Sequence, residues 1–216
     1  MTSTLTIPDI LTPAHRGDAV AHLRRYFGTV SSRAGWAGSR FERLGDGGDL
    51  PRTANRFTAE DLLAVTLLSV QVPPHGVLEL LESRTDEFAR LLAAIPTDLE
   101  LVEAPDLPGD WPPNALWSAL QSIPGIGWVT AGKLMARKRP HLIPVYDRVV
   151  RAAATPTGSF WEALRNALNA DDRALYKHLE SLRDEAGIGS DISILRVFDV
   201  VVWMHYRYLD DKTVTP

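Results

Sequence analysis

The sequence predicts an all-α protein built from two helical lobes. Three observations carry this reading. Nearly every apolar-periodic segment repeats at three and four residues, the period of a helix, rather than at two. Helix start and stop residues bracket those segments in order along the chain. A stretch with five prolines, residues 96–113, separates an N-terminal lobe (residues 1–100) from a C-terminal lobe (residues 101–216), or else joins them within one compact domain.

The first helix opens at Thr12-Pro13, carries Val20, Leu23 and Phe27 on one face and stops at Gly28. Residues 29–57 are rich in Gly, Ser and Arg. Phe41 and Phe57 flank Gly45-Asp46-Gly47-Gly48, a sequence able to turn a short hairpin of strands. Thr58 is an N-cap, and Glu60 and Asp61 suit a first helical turn. The run Leu62 to Val70 that follows is apolar on every side, which predicts a helix buried all round and ended by Pro73-Pro74. Further helices are expected at about 75–83, 85–95 and 114–122. Beyond the central motif, Ser159 with Glu162 caps another helix. Residues 171–186 form a helix stopped by Gly187, and a last helix covers residues 190–209.

Bulk properties narrow the function. Net charge is −4 over 216 residues, which argues against a strongly basic nucleic-acid coat protein but leaves room for a local basic patch. The absence of cysteine excludes disulfides, thiol nucleophiles and cysteine-ligated clusters. The six histidines are scattered without metal-ligand spacing, so neither a metal nor another cofactor is expected. No apolar run reaches the roughly 20 residues of a membrane span, and Met1 is not followed by a basic-then-apolar leader. A cytoplasmic protein with no membrane partner is the expectation.

The most informative segment is Ile123-Pro124-Gly125-Ile126-Gly127-Trp128-Val129-Thr130-Ala131. Two glycines around one apolar residue let the chain turn tightly between helices. They also leave backbone amides uncovered at the start of the second helix, where the helix dipole favours a phosphate. Ile126 would pin the turn to the core. This segment resembles the helix-hairpin-helix motif of the DNA glycosylase superfamily, Leu-Pro-Gly-Val-Gly-x-x-Thr-Ala. There a helix and a short loop follow, ending in a catalytic aspartate. Here the loop is Pro140-His141-Leu142-Ile143-Pro144-Val145-Tyr146-Asp147, and Asp147 falls at the aspartate position without a gap. The resemblance covers about residues 115–155. Elsewhere the chain resembles an uncharacterised bacterial family through Phe57 to Leu62, Ala136 to Pro140 and Leu195 to Met204.

The resemblance implies a protein that binds duplex DNA through its phosphates and excises a base in DNA repair as a monofunctional N-glycosylase, a hydrolase. Asp147 would be catalytic, and Gly125, Gly127, Trp128 and Thr130 would contact DNA. Val129 stands where bifunctional members carry a nucleophilic lysine, so lyase chemistry through a Schiff base is not expected. Lys133, Arg137, Lys138 and Arg139 make a compact basic run beside the turn. It reads either as a solvated face or as a set of backbone-phosphate contacts. Tyr146 and Trp203 are candidates to stack on an extruded base, with packing in the core as the alternative. Asp199 lies on the apolar face of the last helix and should be buried against a cation, Arg148 or Arg139. Asp147 could equally be a plain N-cap for the helix that starts at Arg148. Two rival readings stay open: a non-catalytic nucleic-acid-binding module, and a protein-interaction domain in which the turn only packs helices.

Overall fold

The computed structural model describes residues 3–28, 35–105, 107 and 109–210, with side chains to Arg207. Among them the chain is helical, with no strand beyond an isolated bridge between Thr4 and Thr157. In chain order the α-helices are α1 (Arg16–Phe27), α2 (Ala59–Thr66), α3 (Pro74–Leu78), α4 (Thr85–Ala93), α5 (Pro112–Gln121), α6 (Trp128–Lys138), α7 (Arg148–Ala154), α8 (Phe160–Ala186) and α9 (Ile194–Asp210). None of the described helices is long and apolar enough to cross a membrane.

The helices fall into two compact units: one from Met1–Trp36 with Tyr146–Pro216, the other from Ala37–Val145. The divisions come at 36/37 and 145/146, not at the 100/101 boundary expected from the prolines. The proline-rich stretch instead belongs inside the second unit. There the Leu101 amide donates to the His141 carbonyl at 2.9 Å, and Leu101, Val102 and Trp111 are buried. Residues 106 and 108 of that stretch lie outside the described residues, as do residues 29–34.

In the first unit α9 is the centre, packed by α1, α7 and α8. Every residue from Ile194 to Val202 is buried, so this helix has no solvent face there. Two of those residues are charged. Arg196 Nη1 donates to both carboxylate oxygens of Asp199, at 2.9 and 2.5 Å, and Nη2 donates to the Tyr26 hydroxyl at 2.6 Å. Asp199 is therefore buried and paired with a cation, as expected, but its partner is Arg196. Residues three apart share a helix face, whereas Arg148 is exposed on the first turn of α7. α8 breaks at Ala170–Arg173, where Asp171, Asp172 and Arg173 take positive φ. The two helices expected across this region are thus its two arms.

In the second unit α6 plays the same part. Every residue from Thr130 to Arg139 is buried, and α2 and α5 pack on it. α2 starts as expected: the Asp61 amide donates to Thr58 Oγ1, and the Thr58 amide donates to Asp61 Oδ2. It is not buried all round, however. It ends at Thr66, and Leu63 is 59% exposed. The expected hairpin around Gly45–Gly48 is replaced by two short 3-10 turns, Ala37–Arg40 and Leu44–Asp46. The carbonyls of Phe41 and Leu44 accept from the Arg137 guanidinium instead of from a partner strand. α3 continues into a π-helical turn, Glu79–Ser83, closed by Arg84.

Candidate functional site

The glycine motif forms the turn between α5 and α6. α5 ends at Gln121, and the Ile126 amide donates to the Ile123 carbonyl at 3.0 Å. Gly125 sits at φ +81°, a left-handed conformation that side chains resist, and a Cβ there would also crowd Pro73 at 3.2 Å. Ile123 and Ile126 are buried, while Pro124, Gly125 and Gly127 are exposed. The two isoleucines anchor the turn and the glycines face solvent. Gly127 is the N-cap of the 11-residue α6. As a glycine it has no side chain with which to cap α6, and a Cβ there would meet no atom within 4 Å. On the next helix over, His75 Nε2 lies 2.6 Å from the Pro124 carbonyl. Because a carbonyl can only accept, that nitrogen carries the hydrogen. Trp128 and Val129, in the first turn of α6, are half-buried, and Thr130 is buried. The turn thus presents a helix N-terminus to solvent with open space above it, a geometry suited to an anion.

The basic run beside this turn is not a surface patch. Lys133, Arg137, Lys138 and Arg139 are each at most 5% exposed. Lys133 Nζ donates to the Leu68 carbonyl at 2.8 Å, in the turn after α2. Arg137 Nε donates to Asp61 Oδ1 at 3.1 Å, and its other nitrogens hold the Phe41 and Leu44 carbonyls. Lys138 Nζ donates to Asp61 Oδ2 and to the Thr53 carbonyl, both at 2.8 Å. Arg139 reaches the carbonyls of Ala54, Leu92, Ile95 and Lys138 and the Asn55 side chain. These four side chains therefore do not form the expected phosphate-contacting face, because their donors are turned inward. Burial pulls the Lys138 ammonium below its ordinary value, and Asp61 opposes that shift.

Asp61 is the residue that sequence reading placed only at a helix start. It is 1% exposed and receives both Arg137 and Lys138. The signal that could have found it is a charge requirement: a run of cations in a helix that turns out to be buried needs an acid, and Asp61 begins the helix packed against it.

In the other unit, Asp147 is the N-cap of α7. Its Oδ1 accepts from the amides of Val149 and Val150, at 3.0 and 3.1 Å. The residue is half-buried, and Arg148 and Arg151 beside it are exposed. The Tyr26 hydroxyl is pushed up by burial against the opposing Arg196, with Asp199 and, last, Asp147 adding to the rise. The Tyr146 ring stacks on Phe160, with centroids 3.9 Å apart and planes 12° off parallel. Trp203 meets Tyr26 and Trp36 edge-on, and the Arg207 guanidinium lies 5.0 Å from its ring centre. Each aromatic proposed for an extruded base is thus held by ring partners within its own unit. Asp147, Tyr146 and Trp203 belong to one unit and the glycine turn to the other.

The chain belongs to a family of unknown function, DUF6308, whose model matches residues 19–206. No curated protein and no solved structure matches it.

Proposed function

We propose that this member of a family of unknown function binds duplex DNA as a helix-hairpin-helix protein, through the amides at the head of α6, and acts on it as a monofunctional DNA N-glycosylase with Asp147 as its carboxylate. The observation that carries the binding half is the exposed Gly127 at the start of α6, with open space at its Cβ position and the buried anchors Ile123 and Ile126 before it. Neutral amides and a helix dipole hold a phosphate without a lysine or arginine. This fits a chain whose adjacent cations are spent inside the fold and whose net charge is −4.

The catalytic half rests on the resemblance at Asp147. In the proposed step the glycosidic bond breaks and its electron pair leaves with the base. Water adds to the sugar carbon, and its proton passes to the departing base. The Asp147 carboxylate stays ionised and stabilises the positive sugar. Its Oδ1 also takes the two α7 amides, which fixes the carboxylate at the head of that helix.

Inward-facing cations favour a second reading as well, in which the same turn seats a protein partner. Titrating labelled duplex DNA at several salt concentrations separates the two. The DNA reading predicts saturable binding with a shallow salt slope, about −1 to −2 on a log–log plot, since few cations are involved. No binding at low salt supports the protein partner. Abasic-site formation on lesion-bearing duplex, lost in Asp147→Asn with binding kept, tests the catalytic half. A parent protein that binds and never excises leaves a non-catalytic module.

A further inference from the structure

Helices α1 and α9 meet at a pair of histidines that the proposed function does not use. His22 Nε2 and His205 Nδ1 lie 3.4 Å apart, and the rings pack edge to face with centroids 5.6 Å apart. Either nitrogen can be the donor. With both rings neutral and the hydrogen on one of the two facing nitrogens, that N–H points at the other ring's lone pair. One added proton leaves that arrangement intact and makes it charge-assisted. A second added proton puts a hydrogen and a positive charge on both facing nitrogens, and the contact turns repulsive.

The surrounding charges do not cancel this. Asp18 lies one turn before His22 on α1 and favours its proton, yet Asp18 also faces His15 at 3.7 Å. Arg25 on α1 and Arg207 on α9 disfavour it. Beside His205 stands the Tyr206 ring, which faces Asp9 from the N-terminal 3-10 turn. On the α8 side, α1 is held through Arg16, which bonds Glu185 and Ser181; Arg16 also opposes a proton on His178.

We propose that the His22–His205 contact is a pH-operated latch, which ties α1 to α9 at neutral pH and lets go when both facing nitrogens carry a hydrogen. The sign follows from proton linkage. Burial, then His205, holds the His22 imidazole below its ordinary value. The folded chain therefore binds fewer protons there than the unfolded one. The stabilisation is complete above the ordinary histidine range and is lost as pH falls through it. Next along the same helices, Tyr26 of α1 packs on Trp203 of α9, and Arg207 lies over Trp36. Release of the latch loosens this aromatic cluster first.

Amide hydrogen exchange, corrected for intrinsic rates and compared between pH 8 and pH 5, tests the latch. The full-length protein, His22→Gln and His205→Gln are measured side by side. Two like charges at this spacing correspond to about a tenfold change in an equilibrium. Protection over α1 and the end of α9 is expected to fall in acid by about that factor more in the parent than in either variant. Equal acid loss in parent and variants, or no loss in the parent, overturns the proposal. Nitrogen NMR of the parent's imidazoles decides the matter if a variant fails to fold: coupled titration of the two rings supports the latch, and independent titration contradicts it.

Discussion

Asp61 caps a helix with one oxygen's reach and neutralises two buried cations with the pair, so three structural demands converge on a single carboxylate. Replacing it by asparagine keeps the size and part of the cap but takes away the buried charge that Arg137 and Lys138 both bond. Removing one partner of a buried ion pair costs about 3–5 kcal/mol, and urea unfolding of Asp61→Asn should show a loss of that size. Its neighbour Glu60 is exposed, so Glu60→Gln should unfold with the parent. Asp199→Ala should cost about the same 3–5 kcal/mol, because the buried Arg196 would lose the carboxylate that its Nη1 holds. The burial of Asp199 was legible from the apolar residues on either side of it. Its partner was not, because an arginine three residues away and one in another helix satisfy the same pattern.

At the scale of the helix, the run Arg137-Lys138-Arg139 shows why charge clustering in sequence is a poor guide to a charged face. Successive residues point roughly 100° apart around a helix, and Arg139, the C-cap of α6, has already left helical geometry, so the three do not share a side. Each goes to a different stretch of chain: Arg137 to the carbonyls at 41 and 44, Lys138 to Thr53 and Asp61, Arg139 to residues 54, 55, 92 and 95. Gly48 belongs to the same assembly, since a Cβ there would collide with the Arg137 backbone. The glycine-rich loop 45–48 is therefore a seat for α6 and not a strand turn. Charge reversal in Lys138→Glu with Arg139→Glu should abolish folding of this unit, at a cost above about 5 kcal/mol, comparable to a whole domain's stability. Thermal melting followed by circular dichroism should then lack the parent's cooperative transition. A double variant as stable as the parent would place these side chains on the surface after all. Helix starts and stops were legible here because caps act over a few residues, as at Thr58, Ser159 and Gly187. Which helix would be buried on every side was not, because α2 is the more apolar in sequence and α6 is the one its neighbours enclose.

For the whole molecule, the all-α class was legible from periodicity alone, and the division into units was not. Five prolines suggested a linker, yet the chain leaves one unit at residue 36 and returns to it at residue 146. Such a discontinuous arrangement is set by contacts distant in sequence, which composition does not record. The candidate site was legible in the same uneven way. The turn, its exposed glycines and its buried isoleucines follow from a local pattern, and the α7 cap from the position of Asp147. The fate of the neighbouring cations depended on what packs around α6. In the proposed function the amides at the head of α6, behind Gly127, hold a phosphate of DNA. Gly127 has ordinary negative φ and free space at its Cβ position, so Gly127→Val adds bulk in front of the amides with little strain on the fold. The direct test is fluorescence anisotropy of labelled duplex DNA with the parent and with Gly127→Val, after matching their melting temperatures. The variant is expected to melt with the parent and to bind at least about tenfold more weakly, the loss of a charge-assisted contact worth about 1.4 kcal/mol or more. Equal affinity in a variant that is equally stable would contradict phosphate binding at this turn.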